Sequence, residues 1–276
     1  MTDAVKDNAA PEQPSNEPLA RRYDTALLDL DGVVYRGADA VPHAVEALLA
    51  AAELGMHLTY VTNNASRTPQ AVAEHLERLG LPATAADVVT AAQAVARMIA
   101  EEVPEGAKVL MVGAEGLRVA LEEHGLVPVH SADDKPAAAV QGYRPDTTWE
   151  HLAEIAYAVE SGVPWFAANT DLTMPTARGI APGNGALVTA VAKACGGWPR
   201  IAGKPEIALH RETMLRTGAK RPLVVGDRLD TDIEGANRAG VDSLLVLTGV
   251  TTRKQADEAE GVHKATYVAD DLRALL

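Results

Sequence analysis

Residues 27–37 read LLDLDGVVYRG. An apolar run drives into two aspartates, Asp29 and Asp31, with Gly32 directly behind them. In extended chain, residues i and i+2 project to the same side, so both carboxylates face one spot and Leu30 faces away. At the carboxyl edge of a parallel sheet, that spot is the usual ligand crevice of doubly wound folds. Two carboxylates so placed repel unless one takes a proton or a cation lies between them. Oxygen ligands without Cys or clustered His favour magnesium over zinc. Asp-Gly is also a common turn dipeptide, so this stretch alone leaves a solvated strand-end turn open.

The bulk composition narrows the field. A chain of 276 residues can hold one large α/β unit, or a core and a smaller second module. Aromatics make up only 4%, so packing must rely on aliphatic side chains. The net charge of −13 argues against a nucleic-acid groove and against docking on anionic lipid. The single Cys195 excludes an internal disulfide framework and fits a reducing cytoplasm. No run reaches the roughly 18 apolar residues of a membrane span. Residues 1–20 are polar, acidic and rich in Pro, with no apolar signal-peptide core, and read as a disordered tail.

From Tyr23 onward, β-rich runs alternate with helical patterns, the rhythm of a parallel sheet wrapped by helices. Strands are expected at 25–29, 57–62, 108–112, 137–141, 164–168, 223–226, 243–247 and 265–268. Helices are expected at 40–54, 69–79, 92–102, 117–124, 148–161, 185–194, 206–217 and 231–239. Pro69 just inside one helix start and glycines after several helix ends follow capping chemistry. The polar motifs cluster in 29–67 and 203–232, and the stretch between carries its own strands and helices. This predicts a core from residues 21–100 and 199–276, interrupted by an α/β cap over 101–198. A cleft between two such bodies is the expected ligand site.

Three further elements join the first. YVTNNASRTP places Thr62, Asn63 and Asn64 at a strand end, where a hydroxyl and free N–H groups can hold an oxyanion. IAGKPEIALH sets Lys204 in a turn before a helix, where it can neutralise a phosphate. PLVVGDRLDTDIEGANRAG runs an apolar strand through Gly226 into Asp227, with Asp230 and Asp232 opening a helix. Acids at a helix start are favourable for dipole reasons alone, and Asp230 suits an N-cap. That explanation does not reach Asp227, which repeats the strand-into-carboxylate pattern of Asp29.

D-x-D-G, a strand ending in Thr-Asn, Gly-Lys-Pro and G-D-x-x-x-T-D, in this order, resemble the haloacid dehalogenase (HAD) superfamily of phosphatases. The large insertion between the second and third elements resembles the type IIA capped subgroup. The resemblance implies that Asp29 attacks phosphorus to form an aspartyl-phosphate. Asp31 would protonate the leaving alcohol and later deprotonate the attacking water. Mg²⁺ would bind Asp29, the Asp31 carbonyl and Asp227, with Asp232 holding metal-bound water. Thr62 and Lys204 would grip the phosphoryl group, helped by N–H groups near Asn63 and Gly32.

In the insertion, Gly113-x-x-Gly116 lacks a full nucleotide-loop pattern and reads as an ordinary strand–turn–helix. Asn169 and Asp171 precede a long irregular loop running to Gly183–Gly185, and the resemblance makes both candidate cap residues near the substrate. Turn formation is the alternative use of Asn and Asp there. Arg144 stands where related caps carry an acid, and either contacts an anionic substrate or forms a surface ion pair. QGYRPDTTW, LTMPTARGIAPGNG and VVGDRLDTDIEGANRAG resemble an actinobacterial branch associated with glycerol 3-phosphate phosphatase activity. The expected substrate is thus a small phosphorylated metabolite, glycerol 3-phosphate first. Alternatives are a broad-range phosphatase acting on phosphoglycolate, sugar or nucleotide monophosphates or pyridoxal phosphate, and a phosphorylation-dependent switch or binding protein. Related caps often form dimers, so a homodimer is expected.

Overall fold

The computed structural model describes residues 17–176 and 178–276. Helix α1 (Leu19–Arg22) leads into β1 (Thr25–Leu28), and a small hairpin, β2 (Tyr35–Arg36) and β3 (Asp39–Ala40), follows. Next come α2 (Ala44–Glu53), β4 (His57–Thr62), α3 (Pro69–Arg78), β5 (Val88–Thr90) and α4 (Ala91–Ala100). The chain then builds β6 (Lys108–Val112), α5 (Glu115–Glu123), β7 (Val127–Val129), β8 (Ala138–Gln141), α6 (Trp149–Glu160) and β9 (Trp165–Ala167). A second hairpin, β10 (Thr173–Thr176) and β11 (Gly179–Pro182), precedes α7 (Asn184–Cys195) and β12 (Arg200–Ile201). The remainder is α8 (Ile207–Thr217), β13 (Pro222–Gly226), α9 (Glu234–Ala239), β14 (Asp242–Val246), α10 (Arg253–Asp257) and β15 (Tyr267–Ala269).

Six strands form one parallel sheet in the order β15-β14-β13-β1-β4-β5. Five form a second parallel sheet, β12-β9-β8-β6-β7. The fold is α/β, with a doubly wound core sheet and a second α/β layer inserted into it. After β1 the chain winds to one side through β4 and β5, and it returns on the other side through β13. The strand order thus reverses at β1, and a ligand crevice opens outside the carboxyl ends of strands at such a point.

The two sheets share apolar packing. Helix α4 is buried nearly all round, at Ala91, Ala92, Gln93, Ala94, Val95, Ala96 and Ile99. One cluster joins Leu27, Val61 and Val224 of the core sheet to Val109, Met111, Val140 and Phe166 of the second sheet through this helix. Thr90 starts the helix with a reciprocal capping box to Gln93. Arg97 of α4 also pairs with the buried Glu212 of α8, which Arg216 holds from the other side at 2.5 Å.

Several expectations need correction. Leu19 and Ala20 are buried in the core cluster, so packed chain begins before residue 21; residues 1–16 of the expected tail lie outside the described residues. The helix expected from residue 40 starts at Ala44, because 35–40 close as a hairpin. The irregular loop expected before Gly183 is largely the β10–β11 hairpin. Arg200–Ile201 pairs with β9, so the second sheet reaches past residue 198. Strands β5 and β7 carry no clear strand signal: VVT runs directly into a helix, and VPV carries a proline tolerated at a sheet edge. No helix among the described residues is long and apolar enough to cross a membrane.

Truncating Ile99, fully buried in the shared cluster, tests that packing. Ile99→Ala is expected to lower unfolding stability by about 2–5 kcal/mol in a single cooperative transition. Urea titration followed by circular dichroism and tryptophan fluorescence checks this; separate transitions would show that the sheets unfold independently.

Candidate active site

Three adjacent strands deliver the central groups. Asp29 directly follows β1, Thr62 ends β4, and Asp227 directly follows β13. The Asp29 N–H still donates to the Val225 carbonyl at 2.8 Å, so its backbone is held by the sheet ladder. Asp232 comes from the wide turn Leu229–Ile233 that opens α9, and its Oδ2 accepts from the Arg228 N–H at 3.1 Å. Asp230 is not the cap expected of it. It lies inside that turn and pairs with the Arg228 guanidinium at 2.8 Å.

One carboxylate oxygen each from Asp29, Asp227 and Asp232 lies within 4.8 Å of the others. Against them stands Lys204, 4% exposed, with Nζ 2.5 Å from Asp29 Oδ1 and 2.7 Å from Asp232 Oδ1. Burial works against the ammonium, but Asp232 and Asp29 outweigh it and hold the lysine above its ordinary value. Burial raises Asp29 well above the ordinary carboxyl value, and Asp232 and Asp227 add to the rise against the pull of Lys204. Asp227 is pushed up to about 6, first by burial and then by Asp232. Its Oδ2 accepts from the Val250 N–H at 2.7 Å, whereas its buried Oδ1 has no partner among the described residues. A buried carboxylate oxygen without a partner, beside two further acids, suits a hard divalent cation.

Gly32 and Gly249 leave the room that Asp227 occupies. A Cβ on Gly32 would lie 2.7 Å from Asp227 Oδ2, and one on Gly249 only 1.8 Å from it. This corrects the expectation for Gly32 as a phosphate ligand. Its N–H already donates to the Tyr35 carbonyl at 2.8 Å, and its contribution is a positive-φ turn that passes close to Asp227.

A cavity of about 590 Å³ opens over these groups, between the core sheet's edge and the inserted layer. Asp29, Asp31, Thr62, Lys204, Asp227 and Asp232 all line it. Leu30 turns the other way, into the core, as alternation requires. Asp31 is raised above the ordinary carboxyl value by crowding at the cavity wall, while Arg67, Lys204 and His75 pull it down. Thr62 accepts from the Asn64 N–H at 3.1 Å, which leaves its hydroxyl proton free to donate.

The inserted layer contributes differently from expectation. Asp171 lines the cavity, raised above the ordinary carboxyl value by burial against the pull of Asn63, Lys204 and Arg228. Asn169 reaches the wall, yet its Nδ2 donates to the Asn63 carbonyl at 2.7 Å and its Oδ1 accepts from the Asp171 N–H at 3.2 Å. It acts as a strut. Arg144 is not among the cavity residues: Asp146, two positions on, captures its guanidinium at 2.6–2.7 Å, and Tyr143 lines the wall instead. Of the two uses open to Arg144, the surface ion pair is the one present. Arg67, Arg228, Tyr35 and Met174 also line the cavity, beyond the residues that the motifs single out. Both arginines sit inside quoted motifs, Arg228 directly after Asp227 and Arg67 in a polar stretch with no acid beside it.

Comparison with known proteins places these motifs in a family. A model described as haloacid dehalogenase-like hydrolase matches residues 26–127, and a HAD-hydrolase-like model matches residues 201–275. The chain is 48% identical over 257 residues to D-glycerol 3-phosphate phosphatase of Mycobacterium tuberculosis, covering 93% of this chain and 72% of that protein. It is 36% identical over 254 residues to the 5′-nucleotidase YutF of Bacillus subtilis, covering 91% and 97%. The crystal structure of the M. tuberculosis glycerol phosphate phosphatase in complex with magnesium superposes with a TM-score of 0.90 at 47% identity, over 94% of this chain and 78% of that one. The p-nitrophenyl phosphatase of Archaeoglobus fulgidus superposes at 0.84 with 32% identity, over 92% and 98%. With carboxylates at the ends of β1 and β13, a threonine at the end of β4, and a buried lysine facing them, the chain belongs to the haloacid dehalogenase-like hydrolases.

Proposed function

We propose that this chain is a magnesium-dependent phosphomonoester hydrolase working through an aspartyl-phosphate, with glycerol 3-phosphate as its foremost substrate. The observation that carries the reading is the meeting of Asp29, Asp227 and Asp232 within 4.8 Å of one another, against the buried Lys204. The 48% identity to the mycobacterial D-glycerol 3-phosphate phosphatase supports the substrate. Broader action on other phosphate monoesters remains the second reading, supported by the cavity's volume of about 590 Å³ and by the 5′-nucleotidase relative.

In this proposal the Asp29 carboxylate attacks phosphorus, the ester P–O bond breaks, and Asp31 gives its proton to the leaving alkoxide. Asp31, raised above the ordinary carboxyl value, is suited to carry that proton. The resulting Asp31 carboxylate then takes a proton from water. The water oxygen bonds to phosphorus, and the bond to Asp29 breaks. Splitting one displacement into two lowers each barrier. Lys204 and the Thr62 hydroxyl hold the phosphoryl oxygens throughout. Asp29, Asp227 and the Asp31 carbonyl would hold Mg²⁺, with Asp232 oriented beside it. When bound, the ion offsets the charge repulsion between carboxylate and phosphate.

The proposal extends to a core from Leu19 to residue 100 and from residue 202 onward, interrupted by an α/β cap that ends with β12 at Ile201, to a cytoplasmic setting, and to a homodimer. The free Cys195 supports a reducing compartment. Trp149 and Tyr157 of α6, 73% and 51% exposed, support a cap-mediated contact between copies.

Three measurements test the reading. Asp29→Asn is expected to cut turnover of glycerol 3-phosphate and nitrophenyl phosphate by about 10³-fold or more while the protein stays folded; substantial residual activity would remove Asp29 as nucleophile. Asp31→Asn should slow both chemical steps by about 10²–10⁴-fold, read by single-turnover phosphoenzyme formation and decay.

The third measurement concerns pH. Asp227's folded-state value, about 6, lies above the ordinary 3.8, so protonation favours the folded state. Without a divalent cation, this group's stabilisation is present below about pH 4. It is lost as pH rises through 6, by on the order of 3 kcal/mol. Mg²⁺, which binds the ionised carboxylates, should restore stability at pH 7. Thermal unfolding with chelator and with Mg²⁺ across pH 4–8 reads this; melting indifferent to Mg²⁺ at pH 7 would count against the cation site.

A further inference from the structure

Main-chain N–H groups near Asn63 are expected at the phosphoryl group, and its side-chain amide is engaged separately. Its Oδ1 accepts from the Lys204 N–H at 2.7 Å, and its Nδ2 donates to the Lys204 carbonyl at 3.1 Å. The amide thus pairs with both polar groups of one residue's backbone, as a neighbouring strand would. Nδ2 also donates to the Asp171 carboxylate, at 3.2 and 3.4 Å from its two oxygens. A primary amide has two N–H donors, and both are engaged. The close approach depends on Gly203, where a Cβ would lie 2.8 Å from Asn63 Oδ1 and 2.7 Å from the Ala168 carbonyl.

Two more asparagines extend this contact into the inserted layer. Asn169, 5% exposed, donates from Nδ2 to the Asn63 carbonyl at 2.7 Å. Asn184, 2% exposed at the start of α7, donates to the Asn169 carbonyl at 2.7 Å. The bonds run in series from α7, through the 169–171 segment and Asn63, to the backbone of Lys204. Each link joins a side-chain amide to a main-chain group, so none can slip without leaving a buried polar atom unpaired.

The geometry points to Asn63 as a positioning residue that couples the seating of the cap to Lys204, with Asn169 and Asn184 as its supports. It rests on the proposal that Lys204 grips the transferring phosphoryl group. A displaced cap loop would pull Asp171 and Asn169 off Asn63 and release the Lys204 backbone. Cap seating is thereby a condition for a correctly placed ammonium group.

The test uses the full chain with nitrophenyl phosphate and Mg²⁺. Asn63→Asp keeps the shape, removes both donors, and sets a carboxylate against Asp171. It is expected to lower kcat on the order of 10²-fold, as a misplacement near 1 Å does, with KM little changed. Adding Asp171→Asn returns a donor to that contact and should recover about tenfold of the loss. Asn169→Asp keeps the acceptor for the Asp171 N–H but loses the donor to Asn63, and should lower kcat by about tenfold; it decides the matter if Asn63→Asp fails to fold. A loss confined to KM would overturn the inference and make the amide a substrate ligand. Full activity in both single variants, or no recovery in the double variant, would overturn it as well. An inactive wild-type enzyme would overturn the phosphatase reading and this inference with it; an active wild type beside a fully active Asn63→Asp overturns the inference alone.

Discussion

A single buried ammonium faces three acids, and that imbalance governs the molecule. Lys204 bridges Asp29 and Asp232, while Asp227 stands within 4.8 Å of both carboxylates with one oxygen unpaired among the described residues. Like charges at that separation cost roughly 3–4 kcal/mol per pair at an effective dielectric of 20. One lysine offsets part of that cost. The rest is met by proton uptake, as the raised values of Asp29 and Asp227 record, or by a divalent cation. Three acids held against one lysine are suited to receive a metal ion.

The fold exists to hold this strained cluster in place. β1, β4 and β13 lie side by side, so residues remote in sequence reach one sheet edge, with the Asp29 backbone still in the ladder. The turns around Asp227 must be nearly free of side chains, and Gly32 and Gly249 supply that. The inserted layer does not hang loosely above the edge. Its sheet shares an apolar cluster with the core through α4, and its Asn169 bonds to Asn63, the core residue whose amide holds the Lys204 backbone. Access to the reacting groups and support of them thus come from the same layer.

The expectations that failed share a cause. Gly32 offers an N–H suited to a phosphate, but that group meets a nearer partner, the Tyr35 carbonyl. Arg144 is likewise taken by Asp146. Local composition names the groups available for bonding, and the competition among partners is settled only when the chain is folded. The reverse error explains Arg67 and Arg228, which reach the cavity although nothing in their spacing announces it.

By itself, the sequence determined the α/β alternation, the bounds of β4 and β6 to the residue, and the acids at the ends of β1 and β13. These follow from short-range periodicity and from the improbability of an apolar strand ending in a carboxylate without use for it. Tertiary structure alone decided the strand order, the α4 packing that joins both sheets, and the long-range bonds of Asn63, Asn169 and Asn184. Those depend on which surfaces meet between segments apart in the chain, by more than a hundred residues for Asn63 and Asn169, and no local pattern carries that information.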